Sequence, residues 1–402
     1  MPRARRAPRA RRPEDGVEPR PLYAVWELTL RCDQACAHCG SRAGRQRERE
    51  LSTIEARELG RALREQGCRE VALSGGEAYL REDLPEIVTF LKDQGMRVAL
   101  QTGGRGLTSQ KARSLAAAGL DAVGVSVDGT EPVHDQLRGG PGSHAAALRA
   151  LDAAGEAGLA VTANTQVNRL NQPELPAIAA ELRAHGAMAW LLMPTVPMGH
   201  AADRPEWILA PWQIVEVIDT LAEIQLAAAR TYAGGPPFDV CASDALGYFG
   251  RHEQALRSRP GGDDAYWNGC PAGKNIIGIE SDGTIKACAS LPTAAYAAGN
   301  VRERSLEQIW KQPGPMSFAR ERLVEELWGF CRTCYFAEHC LGGCSLLAHC
   351  TLGRRGNNPF CYHRVTELKK RGIRERLVMK DRAPRDPFAV GRFDIVAEPW
   401  HA

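Results

Sequence analysis

The chain has 402 residues, of which 44% are hydrophobic and 25% are charged, the usual balance of a globular protein. Its net charge of +3 is small, so we expect no nucleic-acid binding. No stretch approaches the ~18 consecutive apolar residues that a membrane-spanning helix needs, so we expect no membrane segment.

The chain begins with a segment that cannot fold by itself. Residues 1–21 are rich in arginine and proline and carry very few apolar side chains. Such a segment buries too little apolar surface to offset its conformational entropy, so we expect a disordered basic tail. It also lacks the apolar stretch of a secretory signal peptide.

Residues 22–232 alternate short apolar segments with amphipathic helical segments. The predicted strands are 23–30, 70–73, 97–101, 122–127, 160–165 and 189–193. The predicted helices are 52–66, 84–92, 109–118, 144–157, 174–184 and 212–230. This alternation predicts right-handed βαβ units and an α/β fold, a partial (β/α)6 TIM-like barrel with ligands at the carboxyl ends of its strands.

Two further regions follow the barrel. A Gly-Gly-Pro-Pro run at 234–237 marks the boundary, and residues 233–365 are rich in cysteine and glycine but poor in regular periodicity. We therefore predict a small, irregular α+β domain organised by bound metal. For residues 366–402 we predict a basic helix followed by a tail.

Thirteen cysteines need an explanation. Their number is odd, no secretory signal precedes them, and several are spaced as Cys-x2-Cys or Cys-x3-Cys. These features favour metal ligands in a reducing compartment over disulfides, so we expect a cytoplasmic protein.

The first cysteine cluster, Cys32, Cys36 and Cys39, directly follows the first predicted strand. Three thiolates on one loop suit a 4Fe–4S cluster and leave one of its irons open to another ligand. The alternative is a zinc site with His38 as the fourth ligand, although this spacing is unusual for zinc.

The Cys-x3-Cys-x2-Cys pattern after the first strand resembles the signature of the radical S-adenosylmethionine (radical SAM) superfamily. The resemblance implies that the 4Fe–4S cluster binds SAM and cleaves it reductively. A 5′-deoxyadenosyl radical then abstracts hydrogen from the substrate. It also implies a low-potential electron donor of the flavodoxin or ferredoxin type.

The same resemblance indicates cofactor-binding residues. Gly75, Gly76 and Glu77 follow the second strand, and in this family such a carboxylate binds the ammonium group of SAM. Further candidates lie at or near the carboxyl ends of later strands: Thr102, Ser126, Arg138 and Asn164. Ordinary capping of strand ends is the alternative for these four.

The later cysteines resemble the SPASM extension of radical SAM enzymes, which implies two auxiliary 4Fe–4S clusters. The resemblance assigns Cys270, Cys288 and Cys344 to the first cluster. It assigns Cys331, Cys334, Cys340 and Cys361 to the second. Either Cys241 supplies the fourth ligand of the first cluster, or one iron of that cluster stays open to bind a substrate. Cys350 has no assignment. A pair of structural zinc sites is the alternative.

The resemblance also indicates the substrate class. The segments Leu-Ser-Gly-Gly-Glu-Ala-Tyr at 73–79 and Phe-Cys-Arg-Thr-Cys-Tyr at 330–335 are similar to those of peptide maturases. It implies a ribosomally made precursor peptide that acquires a thioether, a C–C or C–O crosslink, or an oxidation. No leader-binding domain is evident, so a separate leader-binding protein or the barrel itself is expected to bind the leader.

Three other functions remain open. A formylglycine-type sulfatase maturase is less favoured, because Ala289 occupies the position where those enzymes have an acidic base. Haem or quinone-cofactor biosynthesis shares the same layout. A non-catalytic iron–sulfur electron-transfer protein would have no need of the carboxylate of Glu77.

Overall fold

A computed structural model describes residues 18–231, 238–243, 245–258, 266–267, 269–312 and 314–400. Most of the predicted basic tail lies outside these ranges. Within them, no helix combines the length and apolar character needed to cross a membrane.

A curved ten-stranded sheet organises the molecule, and all six predicted barrel strands are confirmed within it. The strands are β1 (Tyr23–Thr29), β2 (Glu70–Gly75), β3 (Arg97–Thr102), β4 (Ala122–Ser126), β5 (Ala160–Val167), β6 (Ala189–Pro194), β7 (Asp239–Ala242), β8 (Ile276–Ile279), β9 (Thr284–Lys286) and β10 (Gly299–Asn300). Their order is β10-β9-β8-β1-β2-β3-β4-β5-β6-β7. Pairing is parallel from β8 to β7, as right-handed βαβ units require.

Helices connect the parallel strands, and the six predicted ones are confirmed. The barrel helices are α1 (Thr53–Glu65), α2 (Leu84–Asp93), α3 (Ser109–Ala117), α4 (Glu131–Arg138), α5 (Ser143–Glu156), α6 (Leu175–Ala184) and α7 (Gln213–Thr231). The later helices are α8 (Glu253–Arg257), α9 (Thr293–Tyr296), α10 (Leu306–Lys311), α11 (Ser317–Arg320), α12 (Ala337–Cys340), α13 (Ser345–Leu352) and α14 (Tyr362–Lys370).

The two faces of the sheet differ, which creates an inner surface for a ligand. In β5, Val161, Ala163 and Val167 are buried in the core, where the strand contacts α5. The alternate residues, including Thr162 and Asn164, lie on the opposite face and are half-buried. The helices therefore cover the outer face, and the inner face stays accessible.

The cysteine-rich region continues the barrel sheet. Strand β8 pairs in parallel with β1, and β9 and β10 follow in antiparallel order. Ile277, Ile279 and Ile285 are fully buried in the same apolar core as the barrel strands. Apolar packing thus joins this region to the barrel, and the cysteine loops extend from that shared frame.

The end of the chain forms a β-hairpin that the sequence analysis did not predict. Strands β11 (Ile373–Asp381) and β12 (Arg392–Pro399) pair in antiparallel order after α14. The loop between them reaches the barrel, where Val390 forms a β-bridge with Met198. The segment expected to be a tail is therefore packed against both parts of the molecule.

Candidate active site

The loop after β1 carries the three thiols of the first cysteine cluster. The backbone N–H of Cys32 donates to the carbonyl of Gly44 at 3.1 Å, and that of Ala37 donates to Leu137 at 2.8 Å. Burial raises the pKa of Cys32 to about 12 and that of Cys36 to about 11, and the neighbouring thiolates of the trio add to both shifts. The three sulfur atoms therefore lie within electrostatic reach of one another.

His38 is directed away from these thiols. Its Nδ1 lies 3.0 Å from the carbonyl oxygen of Leu137, and its Nε2 lies 3.0 Å from the carboxylate of Asp128. Because both ring nitrogens face oxygen acceptors, the ring has no nitrogen left for a metal ion. The arrangement argues against the zinc site in which His38 was the fourth ligand.

Arg138, a predicted contact of the cofactor, lies between Asp128 and the cysteine loop. Its Nε donates to Asp128 at 2.6 Å, and its Nη1 lies 3.8 Å from the sulfur of Cys36. Burial opposes ionisation of Asp128, but the adjacent Arg138 and His38 outweigh it and hold the pKa of Asp128 well below its usual range. Asp128 thus links the end of β4 to the cysteine loop, a role that sequence reasoning missed.

Glu77 lies beside the cysteine loop and is almost fully buried, with 3% of its surface exposed. One of its carboxylate oxygens lies within 4.8 Å of the sulfur of Cys32. Thr102 donates to Glu77 at 2.6 Å, the N–H of Gly103 at 2.7 Å and the amide of Gln34 at 3.3 Å. The structure therefore places the predicted Thr102 against Glu77, and it adds Gln34, which was not predicted.

Gly75 and Gly76 are required by the neighbouring backbone. Gly75 has a φ of +138°, and an added Cβ atom would overlap the carbonyl oxygen of Thr29 at Gly75 and that of Arg31 at Gly76. The N–H of Gly76 donates to Thr29 at 2.8 Å, and that of Glu77 donates to Arg31 at 2.8 Å. The glycines let this loop lie directly on the start of the cysteine loop, which positions Glu77.

Ser126 and Asn164 are paired across β4 and β5 and are half-buried on the inner face. The amide of Asn164 donates to Gln101 of β3 at 2.6 Å, across the space left by Gly124. Both predicted residues thus lie inside the barrel at its carboxyl end. Gln101 joins them, and its place in the period-two alternation of β3 is the signal that was available.

Two of the four thiols predicted for the second auxiliary cluster, Cys340 and Cys361, pack in one buried cluster with Tyr248. Burial raises the pKa of Cys340 to about 12, and the thiolates of Cys331 and Cys334 add to the shift. The pKa of Cys361 is raised by burial and then by these same three thiols. None of the thirteen cysteines, all of which are described, forms a disulfide.

Tyr248 lies between the two auxiliary groups. Its hydroxyl accepts a hydrogen bond from the backbone N–H of Cys344 at 3.0 Å. Its backbone carbonyl lies 3.9 Å from the sulfur of Cys361. One buried aromatic residue thus contacts a predicted ligand of each auxiliary cluster.

Comparison with known proteins decides the family. The family model "Radical SAM superfamily" matches residues 26–174, and the model "Iron-sulfur cluster-binding domain" (SPASM) matches residues 270–335. Mycofactocin maturase MftC of Mycobacterium ulcerans is 31% identical over 346 residues, which cover 85% of this chain and 88% of that protein. This chain belongs to the radical SAM superfamily.

One further sequence relative and one solved structure are similar to this radical SAM enzyme. The AdoMet-dependent heme synthase of Nitratidesulfovibrio vulgaris is 28% identical over 362 residues, covering 88% of this chain and 95% of that protein. The crystal structure of Streptococcus suis SuiB bound to precursor peptide SuiA has a TM-score of 0.63 at 14% identity, covering 83% of this chain and 74% of SuiB. The SuiB structure establishes a shared fold.

The enzyme uses SAM and 4Fe–4S clusters, as its radical SAM and SPASM domains imply. The residues present fit these groups. Three thiols outside any disulfide share the loop after β1, and beside them lies a buried carboxylate whose hydrogen-bond donors, among the described residues, are uncharged. Such a carboxylate is suited to a cationic ligand such as an ammonium group.

Proposed function

We propose that this radical SAM enzyme modifies a ribosomally made precursor peptide by abstracting a hydrogen atom from it. The modification is a thioether, a C–C or C–O crosslink, or an oxidation. Its 31% identity to a mycofactocin maturase over most of both chains supports this substrate class. The inner face of the barrel supplies an independent physical argument.

The half-buried side chains on the inner face of β3, β5 and β6 are uncharged toward the carboxyl ends of the strands. They are Gln101, Asn164, Gln166, Leu191 and Met193. Amides beside apolar groups suit a peptide, whose backbone offers neutral donors and acceptors. This lining is the observation that carries the proposal, because a substrate with several carboxylates would favour arginine or lysine here.

Cys32, Cys36 and Cys39 are the proposed ligands of the SAM-binding cluster, and Glu77 is the proposed partner of the SAM ammonium. When bound, SAM and this cluster supply the radical that abstracts hydrogen. Thr102 and Gln34 orient the carboxylate of Glu77 through hydrogen bonds. Asp128 and Arg138 brace the cysteine loop, and Ser126 and Asn164 line the space for the substrate or the cofactor.

The test is SAM turnover by anaerobically reconstituted enzyme with dithionite. We expect 5′-deoxyadenosine to form, and the rate of its formation to rise when a short precursor peptide found among the neighbouring reading frames is added. The Cys32→Ala/Cys36→Ala/Cys39→Ala variant should form none. The iron content of this triple variant should also fall by about four, from a total of about twelve. Protein that contains zinc without iron, or a triple variant that still forms product, would contradict the proposal.

Haem biosynthesis is the second candidate function, because a heme synthase matches this chain over 95% of its own length. The two candidates differ in the substrate that stimulates SAM turnover. We expect the precursor peptide to stimulate turnover and an added iron porphyrin to leave it unchanged. Stimulation by the porphyrin alone, together with a shift of its Soret band on binding, would favour haem synthesis.

A further inference from the structure

A series of aromatic rings leads from the surface to the thiols predicted for the second auxiliary cluster. Tyr335 directly follows Cys334 in the sequence and is 88% exposed. Its ring contacts that of Phe336 edge to face, with 5.0 Å between ring centroids. The ring of Phe336 is stacked on that of Phe249, with 4.1 Å between centroids and 4° between planes. Phe336 and Phe249 both pack against the buried cluster of Tyr248, Trp267, Cys340 and Cys361.

Tyr335 contributes little to the core of the molecule. Among the described residues it is the most exposed of the large hydrophobic side chains. The rings behind it are held in place, since Phe249 has a φ of +53°, which is unfavourable for a bulky residue, and its N–H donates to Glu253 at 2.8 Å. An exposed aromatic side chain on such a base is typical of the centre of a protein interface.

Helix α14 adds charged side chains beside these rings. His363, Glu367 and Lys370 are spaced i, i+4 and i+7, so they lie on one face of the helix. The ring of His363 contacts that of Phe336, with 4.9 Å between centroids, and Lys370 pairs with Glu367 at 2.6 Å. Apart from the buried Arg364, residues 331–338 and 362–371 carry two carboxylates and four cations: Glu338, Glu367, Arg332, Lys369, Lys370 and Arg371. This excess of positive charge favours an acidic partner.

We propose that the Tyr335 face, made of Tyr335, Phe336, His363 and Lys370, docks an acidic one-electron carrier protein of the flavodoxin or ferredoxin type. The inference rests on the proposed ligands of the second auxiliary cluster and not on the identity of the substrate. In the transfer, the reduced carrier loses one electron and this cluster gains one, and no bond forms or breaks.

The composition of the Tyr335 face suits a short-lived redox complex. Such complexes bury little surface, so a single exposed ring beside a predicted cluster ligand is sufficient as their apolar centre. Positive charge at the rim speeds the encounter with an acidic protein without holding it tightly. A precursor peptide and a second copy of this chain are the other candidate occupants, and the experiment separates them from the carrier.

The test measures electron transfer and needs no substrate, so its outcome is independent of whether a peptide is modified. The full-length Cys32→Ala/Cys36→Ala/Cys39→Ala variant serves as the parent, since it keeps only the two auxiliary clusters, about eight irons in total. The probe is an acidic flavodoxin reduced to its hydroquinone. Anaerobic stopped-flow absorbance follows the flavin semiquinone that forms, at several carrier and salt concentrations, and gives the second-order rate constant.

Tyr335→Ala, Tyr335→Phe and Lys370→Glu are each added to this parent. Lys311→Glu is the matched control for the charge, because Lys311 also pairs with a glutamate at 2.6 Å and is also 71% exposed. Ile54→Ala is the control for loss of an exposed hydrophobic side chain, since Ile54 is 70% exposed on α1. Iron content and far-UV circular dichroism are compared with those of the parent.

We expect Tyr335→Ala to lower the rate constant about 10-fold, the effect typical of truncating a central interface tyrosine, and Tyr335→Phe to keep it within about two-fold. Lys370→Glu should lower the rate constant by about 5- to 10-fold at low salt, and this difference should shrink at high salt because ions screen the charge. Both controls should match the parent. If Tyr335→Ala loses iron, the exposed Lys370→Glu decides the outcome.

Three results would overturn the proposal. The first is a rate constant that Tyr335→Ala and Lys370→Glu leave unchanged, or that Lys311→Glu lowers equally. The second is a dimer of the parent that Tyr335→Ala separates in sedimentation, which would assign the face to a second copy of the chain. The third is an unchanged carrier rate together with a loss of peptide-stimulated SAM turnover with dithionite when Tyr335→Ala is placed in the otherwise wild-type enzyme, which would assign the face to the peptide.

Discussion

At the scale of single residues, the environment of Glu77 carries most of the chemistry. Burial raises the pKa of this carboxyl group to about 7, although Thr102 and Gly103 donate hydrogen bonds to it. A buried carboxylate bonded by neutral donors is stabilised strongly by a cation. The predicted ammonium of SAM is such a cation, and its position beside Cys32 would bring it to the cluster.

We predict that Glu77→Gln weakens SAM binding by about 10- to 100-fold, since a hydrogen bond to a charged group contributes about 1.5–3 kcal/mol. Equilibrium dialysis of reconstituted enzyme with labelled SAM measures the affinity, with iron content checked in parallel. Glu82→Gln, an exposed residue of the following turn, is the control. Equal affinity in Glu77→Gln and the control would refute the role of Glu77.

Replacing Asp128 should destabilise the cysteine loop. Asp128→Asn removes the buried partner of Arg138 and His38, and leaving a buried charge unpaired costs about 3–5 kcal/mol. We expect a drop of this order in the free energy of unfolding of the apo-protein, and loss of about four irons after reconstitution. Asp152→Asn, in an exposed pair with His185, should change stability by less than about 1 kcal/mol.

At the scale of elements, the start of α1 joins the two parts of the chain. Ser52 and Glu55 form the predicted capping box, and Arg302 of the second region donates to both carboxylate oxygens of Glu55. These hydrogen bonds from Arg302, with those of the cap, lower the pKa of Glu55 to about 2. The cap was predictable from Ser-x-x-Glu, whereas the arginine comes from a distant part of the sequence.

This arrangement predicts a pH-dependent contribution to stability. A carboxyl group whose pKa is lowered on folding stabilises the protein above its unfolded pKa of about 4.5, and this contribution disappears as the pH falls toward 2. Between pH 5 and pH 3, urea unfolding of the apo-protein should therefore show a larger loss of stability for the wild type than for Glu55→Gln. At pH 7, Glu55→Gln should cost about 1 kcal/mol. Glu58→Gln, an exposed residue of the same helix, should follow the wild type at both pH values.

At the scale of the whole molecule, the C-terminal hairpin connects the barrel to the auxiliary region. Phe388, in the loop between β11 and β12, packs with Met198 and Cys350 in one buried cluster. Its φ of 57° is unfavourable for a bulky residue, so surrounding contacts hold it in place. Arg42 of the cysteine loop also donates to the carbonyl of Pro384. The hairpin loop therefore covers the space between the first cysteine cluster and α13.

We predict that Phe388→Ala lowers the free energy of unfolding by about 3 kcal/mol, the usual cost of truncating a buried aromatic residue. It should also speed the loss of cluster absorbance near 400 nm in air, because the hairpin loop would shield the auxiliary region less well. Val396→Ala, on the exposed part of β12, is the control. Equal bleaching rates in the two variants would show that the hairpin does not protect the clusters.

Local patterns were sufficient for the strands and helices of the barrel. The six strands and six helices follow from hydrophobic periodicity, because each buries one face against its sequence neighbours. Strands β8 and β9 were not predicted, because they are short and depend on pairing with β1 and with each other for their identity. The terminal hairpin was missed for a related reason, since both of its strands mix charged with apolar residues and lie mostly outside the buried core.

The amino-acid sequence by itself determined the cysteine loop, the position of Glu77 and the succession of βαβ units, because these depend on spacing along a few tens of residues. Only the tertiary structure decided that Arg138 pairs with Asp128, that Thr102 supports Glu77 and that Tyr248 contacts both Cys344 and Cys361. Contacts between residues distant in sequence depend on the packing of all the intervening elements, and no local spacing encodes them.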